Sequence, residues 1–176
     1  TSRGPPGPER FQAGSGGTTG AVFQFPDCGF RRVVECLGGG GFWPGMYVLV
    51  GNTGAGKSQW AVQYAVHAAQ QNIPVLYLAL ELSRRDLAAR VVGAVTGAPW
   101  SRLLLGRMTE AALHDVFGRA EPIVRRMPLH SECGVPYGYG VETLVQRAWT
   151  LRPKLIVLDY LQVCGGRSGE EPRVTV

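Results

Sequence analysis

One stretch of eight residues has the composition and spacing of a phosphate-binding loop. Residues 51–58 read GNTGAGKS and fit the pattern G-x-x-x-x-G-K-[ST]. In such a loop the glycines allow backbone N–H groups to surround phosphate oxygens, and the following helix N-terminus adds partial positive charge. The pattern therefore predicts a binding site for a nucleotide such as ATP. The residues of this predicted site are Gly51, Asn52, Thr53, Gly54, Ala55, Gly56, Lys57, Ser58 and the adjacent Gln59.

The last two residues of the octet are expected to contact the phosphates and the metal ion. Lys57 is expected to reach the β and γ phosphates, and the Ser58 hydroxyl is a suitable ligand for Mg²⁺. A glycine turn beside a solvated lysine is the alternative interpretation. The octet lies between a predicted strand and a predicted helix, as phosphate binding requires, which favours the nucleotide site. Lys57 is therefore expected to act in catalysis as well as in binding.

Hydrolysis of a bound triphosphate also requires carboxylates, one for the metal ion and one for the attacking water. Asp159 ends the apolar run 155–158, and the carboxyl ends of strands in an open α/β sheet face the ligand crevice. Asp159 is thus expected to hold Mg²⁺. Glu81 ends the run 75–80 in the same way, and adjacent strands lie about 4.8 Å apart, so Glu81 is expected to orient the water. The alternatives are a helix or turn cap for Asp159 and, for Glu81, a charge that favours the next helix N-terminus.

Strand-like and helix-like patterns alternate around these residues. Short apolar runs predict strands at Met46–Val50, Val75–Leu80, Met127–His130 and Leu155–Asp159, the first of them a buried parallel strand. Helical spacing predicts helices at 59–71, from Ser83 with Asp86 in its first turn up to Gly97, at 109–125 and at 141–151. Strands separated by helices require a parallel sheet covered on both faces, so the fold class is α/β.

Composition sets the remaining expectations. The chain has 176 residues, 45% of them apolar, a net charge of +5 and no apolar run long enough to span a membrane, so we expect a soluble, cytoplasmic protein without a membrane partner. Residues 1–20 hold six glycines and three prolines and are predicted to be a flexible linker before a core over 21–176. Four cysteines without a C-x-x-C pair indicate reduced thiols rather than zinc or disulfides.

Three segments together resemble the RecA-like ATPase domain of hexameric replicative DNA helicases of the DnaB type. They are the octet, LELS at 80–83 followed by Leu87 and Arg90, and LDYLQ at 158–162, and the resemblance covers about residues 21–165. The tetrapeptide DYLQ is its most specific element. The resemblance implies a RecA-like P-loop fold, ATP and Mg²⁺ as cofactors, a homo-oligomeric ring of six subunits and translocation on single-stranded DNA.

The same resemblance assigns roles to particular residues. It gives Lys57 and Ser58 the P-loop roles, Glu81 the role of catalytic base and Asp159 the metal-associated role. Arg167 and Arg173 lie in a glycine-rich tail where the first DNA-facing loop of the family begins, and they are the predicted DNA contacts. A solvated tail is the alternative for these two arginines.

The sequence departs from the family after Asp159, since 17 residues follow it. In the family, the next region supplies a strand between the P-loop strand and the strand of the metal-binding aspartate, and a basic finger that completes the neighbouring subunit's site. We therefore expect a core that is incomplete at its C-terminus, or a sheet with a gap or an altered strand order. We also expect the 176-residue chain to bind nucleotide better than it turns it over.

Two other functions stay open. A RecA-like ATPase of the recombination or clock-protein type shares the P-loop and the glutamate after the second strand. A nucleotide-gated assembly module without turnover is the other alternative. DYLQ and the LELS segment favour the helicase, which would be nucleoid-associated in a bacterium, and the intact residues Lys57, Ser58, Glu81 and Asp159 favour catalysis.

Overall fold

The computed structural model describes residue 33, residues 45–133 and residues 141–159. The chain divides into two compact units, residues 1–47 and 48–176, and every element named below belongs to the second. Strands are separated by one or more helices along it, as the sequence predicts. The elements are α1 (Lys57–Gln70), β1 (Val75–Ala79), α2 (Arg84–Thr96), α3 (Trp100–Leu104), α4 (Glu110–Val124), β2 (Leu129–Cys133), α5 (Val141–Leu151) and β3 (Leu155–Asp159).

The strands of the described residues form one parallel sheet in the order β2-β1-β3. Ala79 at the end of β1 pairs with Cys133 on β2 and with Asp159 on β3, so all three strands end at the same edge. Every residue of β1 is buried, because a strand flanked on both sides and covered by helices is shielded from water. The predicted α/β class with a parallel sheet is confirmed.

The hydrophobic core lies between this sheet and α1. The buried positions of α1 are mostly alanine and valine, small side chains that allow the helix axis to approach the strands closely. Helix α2 packs on α1 and also on α3 and α4. A smaller apolar cluster forms between α2 and α4, and it consists of Val92, Val116 and Ala120 with Ala98, Leu103 and Met108 packed against them.

Local capping signals set the helix ends as predicted. The Ser83 hydroxyl accepts a hydrogen bond from the Asp86 backbone N–H at 3.1 Å and begins α2, and Gly97 ends it in the left-handed region at φ 75°. Thr109 caps α4 in the same way through the Ala112 N–H at 3.3 Å. Helix α3 was not predicted, because five residues are too few to show a periodic pattern. None of the helices in the described residues has both the length and the apolar character that crossing a membrane requires.

The prediction of a buried strand at Met46–Val50 is wrong. This segment forms no strand, and its side chains are 47–88% exposed. A strand needs a neighbour to satisfy its backbone N–H and C=O groups, and the described residues provide no strand beside this segment.

Strand β2 begins later than predicted, at Leu129 instead of Met127. Proline has no N–H to donate to a ladder, so regular pairing starts only after Pro128. The Pro128 carbonyl still accepts a hydrogen bond from the Val75 N–H at 2.9 Å, which sets the register of β1 against β2.

Candidate functional site

The glycine-rich octet forms a tight loop that leads directly into α1. Gly54 has φ 81° and Gly56 has φ 87°, in the left-handed region that glycine adopts without steric cost. The Ala55 N–H donates to the Asn52 carbonyl at 3.1 Å and closes a turn, and Gly56 is the N-cap of α1. The first turn of α1 contains no acidic residue of its own, so the partial positive charge of the helix N-terminus is not reduced from within the helix.

The Lys57 ammonium is held by the loop itself. Its Nζ donates to the Gly51 carbonyl at 2.7 Å and to the Asn52 carbonyl at 2.9 Å. The positive charge therefore lies beside the residues predicted to surround a phosphate. To contact a phosphate, the ammonium must exchange these carbonyl oxygens for anionic ones, which are stronger acceptors.

Ser58 and Asp159 meet although they are 101 residues apart in the chain. Ser58 lies at the start of α1 and Asp159 at the end of β3, and the Ser58 Oγ donates to Asp159 Oδ1 at 3.0 Å. The Asp159 side chain is 7% exposed, which makes it the buried charged residue of the described part of the chain. The structure thus brings together the two residues predicted to hold the metal ion.

The oxygen atoms of this pair fit a magnesium ion. Neighbouring oxygen ligands of an octahedral Mg²⁺ lie about 3 Å apart, which matches the separation of Ser58 Oγ and Asp159 Oδ1. Within the described ranges, no three His, Cys, Asp or Glu side chains cluster into a metal cage. A hydroxyl and one carboxylate suit Mg²⁺, which usually keeps several waters and binds substrate phosphates.

Glu81 lies at the same edge of the sheet as Asp159. The Leu80 N–H donates to the Asp159 carbonyl at 2.8 Å, so pairing of this chain segment with β3 extends one residue beyond β1. Glu81 follows in a bend, with its side chain exposed, two residues before the Ser83 cap of α2. The position allows the predicted contact with an attacking water, and the role itself stays a prediction.

Gln59 is held by a residue to which the sequence assigned no role. The Arg90 guanidinium on α2 donates to the Gln59 Oε1 at 3.1 Å and lies 3.9 Å from the centre of the Trp100 ring. Arg90 therefore links α2 and α3 to the first turn of α1 by a hydrogen bond and a cation–π contact. The sequence signal was present, because Arg90 belongs to the segment that resembles the helicase family.

Tyr77 is a second residue that sequence reasoning missed. Its hydroxyl donates to Asp159 Oδ2 at 2.8 Å from the central strand β1. Burial, followed by the charge of Asp159 and the hydrogen bond to it, raises the pKa of the Tyr77 phenol well above its ordinary range. Tyr77 is therefore a neutral hydrogen-bond donor. The available signal was a tyrosine among aliphatic strand residues, because a buried tyrosine hydroxyl usually requires a partner.

Arg167 and Arg173, the predicted DNA contacts, lie outside the described residues. Cys133 is a free thiol at the end of β2, and its burial raises the pKa of that thiol despite the opposing effect of Arg84.

Comparison with known families is consistent with this geometry. A family model described as DnaB-like helicase C terminal domain matches residues 27–175, a range that includes the octet, Glu81 and Asp159. Among curated proteins no relative matches the chain. Because the match covers far more than half of the chain, the protein belongs to the DnaB-like helicase C-terminal domain family and is a helicase-type domain with a RecA-like P-loop fold.

Proposed function

We propose that this domain binds ATP with Mg²⁺ and couples ATP hydrolysis to translocation on single-stranded DNA and to duplex unwinding during replication. The observation that supports it most is the 3.0 Å contact between Ser58 Oγ and Asp159 Oδ1 beside the glycine-rich loop. Two metal-suited oxygens from distant segments meet next to Lys57, which is the arrangement that phosphoryl transfer requires.

Each residue of the site then has a distinct task. The backbone N–H groups of residues 51–58 bind the phosphates, and Lys57 exchanges its two carbonyl partners for phosphate oxygens. Ser58 and Asp159 would hold Mg²⁺, which supplies charge neutralisation on the phosphates when it is bound. Glu81, exposed at the same edge of the sheet, orients the water that attacks the γ phosphate.

Family membership supports the larger assembly. DnaB-like helicases are the basis for proposing a homo-hexameric ring that encloses single-stranded DNA. The net charge of +5 is compatible with an anionic partner. In a ring, an arginine supplied by a neighbouring subunit would raise the rate of hydrolysis, since such a residue stabilises charge in the transition state.

The two lysines of the sequence allow a matched test. Lys57 lies in the octet, whereas Lys154 is an exposed residue immediately before β3. We expect the assembled ring to hydrolyse ATP and to unwind a forked DNA duplex in the presence of Mg²⁺, and the 176-residue chain alone to bind nucleotide with weak turnover. Lys57→Ala should abolish both activities, and Lys154→Ala should retain both.

Other outcomes separate the competing functions. ATP hydrolysis stimulated by single-stranded DNA without unwinding would favour a recombination or clock-type ATPase. Nucleotide binding without measurable turnover would favour an assembly module. Full hydrolysis and unwinding by Lys57→Ala would show that the octet is not the catalytic site.

A further inference from the structure

Tyr77 places a hydroxyl group among the buried residues of the central strand β1. Its side chain is 1% exposed, and every other residue of β1 is aliphatic and buried. A buried hydroxyl is costly unless it is hydrogen-bonded, and phenylalanine would occupy almost the same volume without that cost. The hydroxyl is bonded to Asp159 Oδ2 at 2.8 Å, so its partner is the proposed metal-associated carboxylate.

We propose that Tyr77 is a positioning residue for the magnesium–nucleotide site: its hydroxyl fixes the Asp159 carboxylate in the orientation that turns Oδ1 toward Ser58. This inference rests on the proposed function, because it assumes that Asp159 and Ser58 hold Mg²⁺ together with a nucleotide.

The contacts of Asp159 explain why such a residue is needed. The torsion that rotates a carboxylate is broad and roughly two-fold, so the backbone alone does not fix which oxygen faces a ligand. The Leu80 N–H holds the Asp159 backbone at 2.8 Å, whereas Tyr77 and Ser58 each hold one carboxylate oxygen. When Ser58 and Oδ1 turn to a metal ion, the hydrogen bond from Tyr77 is the one that keeps the carboxylate in place.

The surroundings of Tyr77 keep this hydrogen bond in one direction. An ionised carboxylate can only accept hydrogen bonds, so the Tyr77 hydroxyl is the donor in its 2.8 Å contact with Asp159 Oδ2. Hydrogen bonds to a charged group are stronger than neutral ones. Residues that orient metal ligands typically contribute a factor of about 10 to 100 in metal affinity.

The test measures how much Mg²⁺ tightens nucleotide binding. Affinity for a fluorescent ADP analogue is titrated in EDTA and in saturating Mg²⁺, and the ratio of the two dissociation constants is the magnesium effect. For Tyr77→Phe in the full chain we expect the magnesium effect to fall about tenfold, with the affinity in EDTA unchanged. Direct titration with Mn²⁺ followed by electron paramagnetic resonance should show the same loss.

Two variants separate orientation from packing. Tyr64→Phe is the matched control, because it removes the hydroxyl of another buried tyrosine, which takes no part in the two hydrogen bonds of Asp159. Urea denaturation of Tyr77→Phe checks that this variant is folded, since phenylalanine preserves the volume of the buried ring. Asp159→Asn should make the magnesium effect insensitive to Tyr77→Phe, because the positioned charge is then absent.

The outcomes distinguish this inference from the proposed function. An unchanged magnesium effect in Tyr77→Phe, or an equal loss of affinity in EDTA and in Mg²⁺, would overturn the positioning role and leave the nucleotide site intact. A wild-type protein that binds no nucleotide under either condition would overturn the proposed function itself.

Discussion

The two hydroxyls that contact Asp159 differ in how freely they can leave it. Ser58 lies half-buried at the start of α1, beside the exposed loop of residues 51–56, so a ligand can reach it. Tyr77 lies in the central strand and is 1% exposed. Exchange of partners on ligand binding is therefore expected at Ser58, while the contact with Tyr77 persists. The hydroxyl of Ser58, rather than the size of its side chain, should decide metal binding.

Substitution of Ser58 tests this directly. Ser58→Ala removes an oxygen suited to Mg²⁺, so we expect the magnesium-dependent gain in nucleotide affinity to fall by at least about tenfold. Ser58→Thr retains the hydroxyl and should keep most of that gain, as the loop pattern accepts either residue. Isothermal titration with Mg²⁺-ADP measures both. Equal behaviour of the two variants would contradict a role for the hydroxyl.

Two glycines of the loop distinguish the effect of backbone conformation from the effect of the space available to a side chain. At Gly56 a Cβ would meet no atom within 4 Å, but φ is 87°, where a side chain is strained. At Gly51 a Cβ would meet the Ala55 Cβ at 3.6 Å, an ordinary contact, with no positive φ. Gly56→Ala should lower the free energy of unfolding by about 1–2 kcal/mol and weaken nucleotide binding, whereas Gly51→Ala should be milder. Urea denaturation and nucleotide titration check this, and a harmless Gly56→Ala would refute it.

At the scale of elements, helix contacts can be tested with a second pair of glycines. Gly93 on α2 is buried, and a Cβ there would lie 2.9 Å from the Ala98 carbonyl oxygen and 3.0 Å from the Trp100 Cβ. Gly118 on α4 is exposed, and a Cβ there would meet nothing within 4 Å. The close approach of α2 to the start of α3 therefore depends on Gly93.

The two substitutions should change stability in opposite directions. Gly93→Ala would push the α2 backbone away from the Ala98 carbonyl. It should therefore lower the free energy of unfolding by about 1–3 kcal/mol. Gly118→Ala gains helix propensity in open space and should raise the same quantity by up to about 1 kcal/mol. Urea denaturation followed by circular dichroism measures both changes. Stabilisation by Gly93→Ala would mean that α3 moves away at little cost.

Local signals in the sequence predicted helices better than strands. Ser83, Gly97 and Thr109 are capping residues whose effect lies within a few residues of the chain, and the helix ends follow them closely. Strand formation depends on a partner instead. Met46–Val50 (MYVLV) is apolar and β-branched yet forms no strand, whereas the more polar β2 (LHSEC) is a strand because it pairs with β1.

In the candidate site, too, features that depend on local sequence were predictable and features that depend on strand pairing were not. The loop pattern and the carboxyl end of β3 carried enough information to name Ser58 and Asp159 from sequence. The contact of Tyr77 with Asp159 follows from the register that pairs Ala79 with Asp159, and a single sequence does not contain that register. The strand pattern alone predicted only that position 77 lies in a strand.

At the scale of the whole molecule, the strands of the described sheet are shielded from solvent to different extents. Strand β1 is covered on both sides, while β3 lies at the end of the strand order β2-β1-β3. Ile156 on β3 is 40% exposed, although its register partner on β1, Leu76, is fully buried. An exposed strand edge with apolar side chains promotes pairing between molecules. We therefore expect the 176-residue chain to self-associate through this edge.

Lysine substitutions at these two register-paired positions provide the final test. A lysine at an exposed edge blocks strand pairing at little cost, so Ile156→Lys should reduce self-association while lowering the free energy of unfolding by about 1 kcal/mol or less. Leu76→Lys places a charge where no solvent reaches it and should prevent folding, since an unpaired buried charge costs several kcal/mol. Sedimentation velocity at two protein concentrations and urea denaturation measure the two effects. If Ile156→Lys were as damaging as Leu76→Lys, β3 would be an inner strand of the folded protein and the edge would already be covered.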